Sequence, residues 1–397
     1  MRKKESIISF TTIMVYIAVG ITALGLQVLF IDRVPDYLIA ILPTVYWISV
    51  LIFSPLWGML ADSIGAKKLI LVLTTSVSSI ILFLHAILMQ YFQIVILRLI
   101  YGLFLSAFLP VSLSILLENT TREEAGKKAS IFTFSRSLGF LLSGYIASLI
   151  LLFFAVRELF IFGTLFVGIS ALALIFIENN AYKNQLSESP SSFGGVFKIP
   201  GRDFIARNNG HLLVIALVLR HTNIMSLNAL MFVYMLRKGI PDYLLGTISS
   251  FNTLVQVTLM YPLGLLSDKI GRKPLFIAGF TLSTLVPILF ILANDPLSFS
   301  ISFVLIGLSF STLISGVAPF FKDIAPKGRE AEALSFLNVT RSIGSIIGPI
   351  FAALLVAIGG YELMFTSMAI ITAIATVLSF FAKETIKIRE INARKAS

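Results

Sequence analysis

Arg220 and His221 stand side by side in an otherwise apolar stretch, with Asn223 and Asn228 following in the same stretch. A guanidinium is a permanently charged planar fork that matches a carboxylate or phosphate, and an imidazole can exchange a proton near neutral pH. Such a pair suits reversible binding of an anionic or polar solute. Arg98, Arg136 and Arg341 lie in comparable apolar stretches, whereas all 20 acidic residues fall at or beyond the ends of such stretches. Asn252 and Gln256 are four residues apart, and Asn338, Arg341 and Ser345 are spaced three and four, so each set shares one helical face. Tyr46 and Trp47 add an aromatic pair, and these residues together are the candidate solute contacts. A second reading keeps Asn, Gln and Ser as glue between helices and makes Arg136 and Arg341 symmetric plugs bonded to backbone carbonyls. His85 is expected to be inert.

Bond-making chemistry has little to work with here. The chain has no cysteine and three histidines, which removes thiolate nucleophiles and disulfides and argues against a metal site. No HExxH, GxSxG, P-loop or His-rich cluster is present, so neither an enzyme nor ATP drive is expected, and no cofactor.

The residues that must be positioned sit in a chain of 397 residues with 57% hydrophobic and 13% charged residues and a mean hydropathy of +0.94. Soluble domains carry roughly 25% charged residues, so lipid is the solvent to reason with. The apolar stretches run about 20 residues or more, the length a helix needs to cross the roughly 30 Å of hydrocarbon. In lipid the backbone must satisfy itself, and no ten-residue alternation of a barrel is present, so the fold class is an all-α integral membrane protein.

Spans are predicted at 7–31, 37–60, 69–90, 92–117, 128–152 and 158–177, then at 211–236, 242–266, 274–293, 296–321, 331–357 and 361–381. This makes twelve, in six-helix bundles at 1–177 and 211–382, with a polar linker at 178–210 and a short tail at 383–397. A surface-lying helix is expected near 196–205, and the first span is expected to be retained rather than cleaved. Of the 31 basic residues, 23 fall in alternate loops and the termini and four on the opposite side, which predicts both termini in the cytoplasm of a cell-membrane protein. That asymmetry also explains the net charge of +11 without a nucleic-acid partner. At about 1.5 Å per residue, Arg136, Arg220 and Arg341 come to lie roughly 12 to 14 Å deep and Arg98 about 9 Å. An ionisable residue at such depth faces a cavity, a partner or backbone carbonyls, and is a functional candidate by default.

The two halves repeat each other. Pro35, Asp36, Tyr37 and Leu38 recur 206 residues later as Pro241, Asp242, Tyr243 and Leu244, and Arg136, Ser137 and Gly139 recur as Arg341, Ser342 and Gly344. Gly58, Leu60, Asp62, Ile64 and Gly65 recur as Gly264, Leu266, Asp268, Ile270 and Gly271, followed by Lys67 in one copy and by Arg272 and Lys273 in the other. Repetition at a near-constant offset identifies a duplicated six-helix unit. Glycine lets a helix stop and turn closely, and the aspartate can cap a helix N-terminus and pair with the basic residues.

These two loops resemble the signature loop of the major facilitator superfamily, Gly-x-Leu-x-Asp-Arg-x-Gly-Arg-Lys, with Ser63 and Ala66 replacing basic residues in the first copy. Arg98 followed by Gly102 resembles a second signature, of proton-coupled antiporters; the Gly-Pro motif of antiporters is missing from the fifth span, although Gly348 and Pro349 supply something like it in the eleventh. The resemblance implies a monomeric secondary transporter that moves a small solute by alternating access, with spans 1, 4, 7 and 10 lining the cavity. It also implies that the two loops gate the motion and that Arg98 takes part in proton coupling. Apart from the resemblance, with no carboxylate inside the apolar stretches, His221 and secondarily His85 are the titratable groups left to carry a coupled proton. Two substrate classes remain open, an organic or inorganic anion matched to the arginines, and a lipophilic drug-like compound expelled through a cavity rich in Phe, Met and Tyr. A non-transporting sensor on the same scaffold is the alternative from another class.

Overall fold

In the computed structural model, which describes residues 2–118, 120, 122–177, 205–326 and 329–385, the chain is helical, with no strand among the described residues. The first half forms α1 (Arg2–Phe30), the short α2 (Asp36–Ile39), α3 (Ile41–Ile64), α4 (Lys67–Ile87), α5 (Tyr91–Leu105), α6 (Phe108–Leu117), α7 (Arg122–Phe153) and α8 (Val156–Ile175). The second half forms α9 (Gly210–Arg237), α10 (Asp242–Ile270), α11 (Arg272–Leu292), α12 (Pro296–Ile324) and α13 (Glu330–Phe380). The surface helix expected near 196–205 lies outside the described residues except for Ile205, which is buried in a turn.

Ten helical segments among the described residues are long and apolar enough to cross a membrane, against the twelve expected. The pair α2 and α3 acts as one such segment, as does the pair α5 and α6. Two features account for the difference. Helix α10 is 29 residues long but carries Asn252, Gln256 and several Ser and Thr, which lowers its hydropathy. The eleventh and twelfth expected spans fall within the single stretch Leu337–Phe380, in which two helices meet at a kink where Gly359 and Gly360 leave the helical backbone. Helix ends also reach beyond the expected spans, α7 beginning at Arg122 rather than at 128, since a helix need not stop where hydrocarbon does.

The chain groups into two compact units, Met1–Lys198 with Pro241–Ser250, and Ile199–Ile240 with Phe251–Ser397. In the first, α1 packs along α7 and α8, α4 along α8, and α3 along α5. In the second, α9 packs along α13, and α11 along α12 and α13, over a core that includes Leu213, Leu217, Phe276, Phe280, Phe320 and Phe321. Hydroxyls bond within and between helices, which is how polar side chains are satisfied where lipid offers nothing. Thr12 Oγ1 donates to Ile8 O at 2.6 Å within α1, Ser49 Oγ to Leu99 O at 2.7 Å from α3 to α5, and Ser226 Oγ to Gly348 O at 2.7 Å from α9 to α13. At the start of α12, Asp295 and Ser298 form a capping box ahead of Pro296, and the Ser298 hydroxyl and amide hold the Asp295 carboxyl below its usual range.

Candidate functional site

Arg220 is the largest fully buried side chain among the described residues, 1% exposed on α9. Its Nε donates to Ser283 Oγ of α11 at 3.3 Å, its guanidinium carbon stands 5.6 Å from the Phe310 ring centre of α12, and its Nη2 has no hydrogen-bond partner. Asn223, fully buried, donates from Nδ2 to Ser283 O at 3.3 Å and leaves Oδ1 unpartnered. The hydroxyls of Ser311 on α12 and Ser345 on α13 are likewise buried and unpartnered. Buried polar groups are nearly always paired, so these unpartnered atoms on α9, α12 and α13 are candidates for something else to bind. His221 is buried against the backbone of α13 at Gly344, and Arg341 acts electrostatically on both Arg220 and His221. Like charges held close in a low dielectric favour an anion between them.

The other expected contacts are more dispersed. Asn228 is partly buried two turns beyond Arg220. Gln256 Nε2 donates to Asn252 Oδ1 at 2.7 Å, so this pair shares a face and spends part of its capacity on itself. Asn338 is exposed, Arg341 half-buried and Ser345 buried, so the three meet different surroundings although their spacing puts them on one face.

In the first unit Arg98 on α5 is buried, its guanidinium carbon 4.8 Å from the Tyr46 ring centre and 5.5 Å from that of Tyr101. Tyr46 in turn stands edge-on to Trp47, ring centres 5.4 Å apart. Arg136 lies over Tyr16 of α1 at 5.8 Å. His85 is fully enclosed beside this group, its ring 6.1 Å from Tyr101. Gly102 makes the arrangement possible, because a Cβ there would sit 2.9 Å from Tyr46 O and 2.7 Å from Ser49 Cβ.

The repeated Arg-Ser-x-Gly now has a packing reason. A Cβ on Gly139 would lie 2.7 Å from Ile13 O and 2.9 Å from Tyr16 Cβ, and one on Gly344 2.7 Å from the carbonyl carbon of His221 and 2.9 Å from Thr222 N. In each unit the glycine seats its helix against the corresponding stretch, of α1 or of α9.

The signature loops differ as their sequences do. In the first copy, Lys67 Nζ pairs with an exposed Asp62 at 3.0 Å, Gly65 ends α3 with φ +67°, and a Cβ on Gly58 would lie 3.9 Å from Pro110 Cβ. In the second, Arg272 Nη1 meets Asp268 Oδ1 at 2.6 Å and its Nε meets Asp323 Oδ2 at 3.3 Å. The expectation that an aspartate caps the following helix is corrected in both loops, since α4 has no side-chain cap and the cap of α11 is Glu384. Glu384 accepts from Arg272 N at 3.1 Å and Lys273 N at 2.8 Å, just after Gly271 turns with φ +104°, and Lys273 Nζ donates to Phe380 O at 2.7 Å. Gly264 has open space where a Cβ would go. Glu384 and Asp323 were not among the sequence candidates; the repeat offers a signal for the first, because Glu178 stands 206 residues before Glu384. Glu384→Gln is expected to lower the thermal midpoint by the equivalent of about 1 kcal/mol, the worth of a helix cap, and to reduce transport several-fold through the loop. A melting curve beside an initial-rate assay checks it.

A family model described as Major Facilitator Superfamily matches residues 7–255 and 213–396. The chain is 23% identical over 355 residues to the multi-drug resistance efflux pump PmrA of Streptococcus pneumoniae, covering 87% of this chain and 86% of that protein. It is 24% identical over 339 residues to the multidrug resistance protein MdtG of Enterobacter lignolyticus, covering 83% and 79%. Among solved structures it is similar to the nucleoside transporter NupG, with a TM-score of 0.77 and 17% identity over 95% and 97% of the two chains. The D-xylose-proton symporter gives a TM-score of 0.73 and 14% identity over 96% and 98%.

Proposed function

This chain belongs to the major facilitator superfamily, and from that premise we propose that it is an exporter of amphipathic organic solutes bearing an anionic or hydrogen-bond-accepting group. The observation that carries the reading is Arg220, a buried guanidinium with an unpartnered Nη2 in a chain whose acidic residues all keep to the ends of its apolar stretches. A solute carboxylate or phosphate would supply the missing acceptor, with Asn223, Ser311 and Ser345 as neutral partners and the Phe310 ring against its apolar part. Export is favoured over uptake by the multidrug pumps among the relatives. The solute would pass by alternating access between two six-helix bundles, 1–177 and 211–382, joined by the loop 178–210 and followed by the tail 383–397. We place a monomer in the cell membrane with both termini in the cytoplasm, driven by a coupled proton.

Everted vesicles carrying the protein should accumulate a fluorescent amphipathic anion when a proton gradient is imposed, and should do so faster than a cation of matched size. Accumulation of the cation alone would overturn the anion assignment, and accumulation of hydrophilic anions without the amphiphile would replace export of amphiphiles with anion exchange.

A further inference from the structure

Three buried polar atoms of the first unit lack a hydrogen-bond partner around a single aromatic ring: Nε2 of His85, Nε of Arg98 and the hydroxyl of Tyr101 itself. The side chains are 0%, 6% and 1% exposed. His85 Nδ1 lies 2.7 Å from Ile81 O. A carbonyl only accepts, so Nδ1 carries the hydrogen and Nε2 of the neutral ring is a bare lone pair. The group therefore offers two donors and one base around a fixed positive charge.

We propose that this cluster binds one small monovalent anion on Arg98 and Tyr101, and that His85 takes a proton from water at Nε2 as the anion arrives. The charge of the cluster passes from +1 with Arg98 alone, to zero with the anion, and back to +1 with the proton. Each ligand assists the other. The anion screens the imidazolium from Arg98, and protonation turns a lone pair that repels the anion into a donor that binds it. The coupling is reciprocal, so whatever the anion does for the proton the proton does for the anion.

The groups facing His85 are few. Helix α5 presents Arg98 and Tyr101, and α3 presents Tyr46 across the guanidinium. Helix α8 stacks Phe160 on the ring at 6.0 Å and carries Arg157 and Glu158 in its first turn, while α6 has no titratable residue. The anion can be an inorganic ion or the carboxylate of a solute, and chloride and formate stand for the two sources.

The test uses the purified full chain in detergent, exchanged into gluconate, with chloride or formate substituted at constant ionic strength. Melting temperature reports anion binding, and the pH change of a weakly buffered sample reports proton uptake. Stabilisation by either anion is expected, with apparent affinity rising toward about tenfold per unit fall in pH while His85 is neutral, and uptake approaching about one proton per bound anion. His85→Gln should keep the stabilisation, lose the proton uptake and flatten the pH dependence, and Tyr101→Phe should weaken binding of both anions several-fold. Stabilisation by chloride but not formate assigns an inorganic ion, and the reverse a solute carboxylate. The proposal is overturned if neither anion stabilises the wild-type protein, if binding occurs without proton uptake, or if uptake persists in His85→Gln; the wild-type arms decide even should a variant fail to fold.

Discussion

Replacing Arg220 with glutamine is expected to cut transport of an anionic amphiphile by roughly 10- to 150-fold without lowering the melting temperature of the protein. The first figure follows from the loss of one hydrogen bond to a charged group, about 1.5 to 3 kcal/mol at tenfold per 1.4 kcal/mol. The absence of a stability cost is the sharper half. A buried guanidinium costs free energy of desolvation, and removing one that has no carboxylate partner in the fold relieves that cost instead of stranding an opposite charge. Among the described residues it bonds Ser283 Oγ, which also donates to Gly279 O at 2.8 Å and is left satisfied. Arg220→Lys should recover only part of the activity, because an ammonium cannot reach Ser283 and the solute with the same fork. Measured side by side, initial rates and melting curves separate two roles: a structural arginine would lose stability and activity together, and unchanged transport by a stable Arg220→Gln protein would sink the assignment.

Much of the fold was legible because lipid imposes simple rules. The apolar stretches, the basic loops and the duplicated motifs could be read directly, and the described helices follow the predicted spans closely in both halves. What was not legible depends on side-chain register between helices. His85 looked idle as one polar residue in an apolar run, and only the approach of α4 to α5 brings it to Tyr101 and Arg98. Glu384 and Asp323 lie 112 and 51 residues from the Arg272 they contact, separations that no local pattern spans. The candidate residues on α9 and α10 fared differently. Arg220, His221 and Asn223 are buried together, whereas Asn252 and Gln256 pair with each other. Charge in an apolar stretch pointed to the buried candidates; neutral polar residues pointed equally to glue, since an amide can satisfy itself within its own helix.

The second large effect is expected at Gly348, where valine should prevent α9 and α13 from meeting. A Cβ at Gly348 would lie 2.6 Å from Thr222 O, 2.7 Å from Met225 Cβ and 2.9 Å from Ser226 N, so two of its three nearest neighbours are backbone and cannot swing aside. The helices must separate, which also breaks the 2.7 Å bond from Ser226 Oγ to Gly348 O. Overpacking costs about 1 to 3 kcal/mol and a hydrogen bond in a membrane helix pair adds roughly 0.6, a sum large enough to deplete the folded protein. Small residues matter more here than in water, because lipid tails are as apolar as the helix faces and association rests on close packing. The damage should reach function as well, since Gly344, one turn earlier, seats α13 against His221 and Thr222, next to Arg220. Gly264→Ala is the matched control, a glycine of the repeated motif inside α10 with no atom within 4 Å of a built Cβ, and its melting temperature should not fall below the wild-type value. Gly348→Val should melt several degrees lower and yield less monodisperse protein on gel filtration. Equal melting of Gly348→Val and Gly264→Ala would mean that α9 and α13 are not held backbone to backbone, and the positioning of Arg220 and His221 would then need another cause.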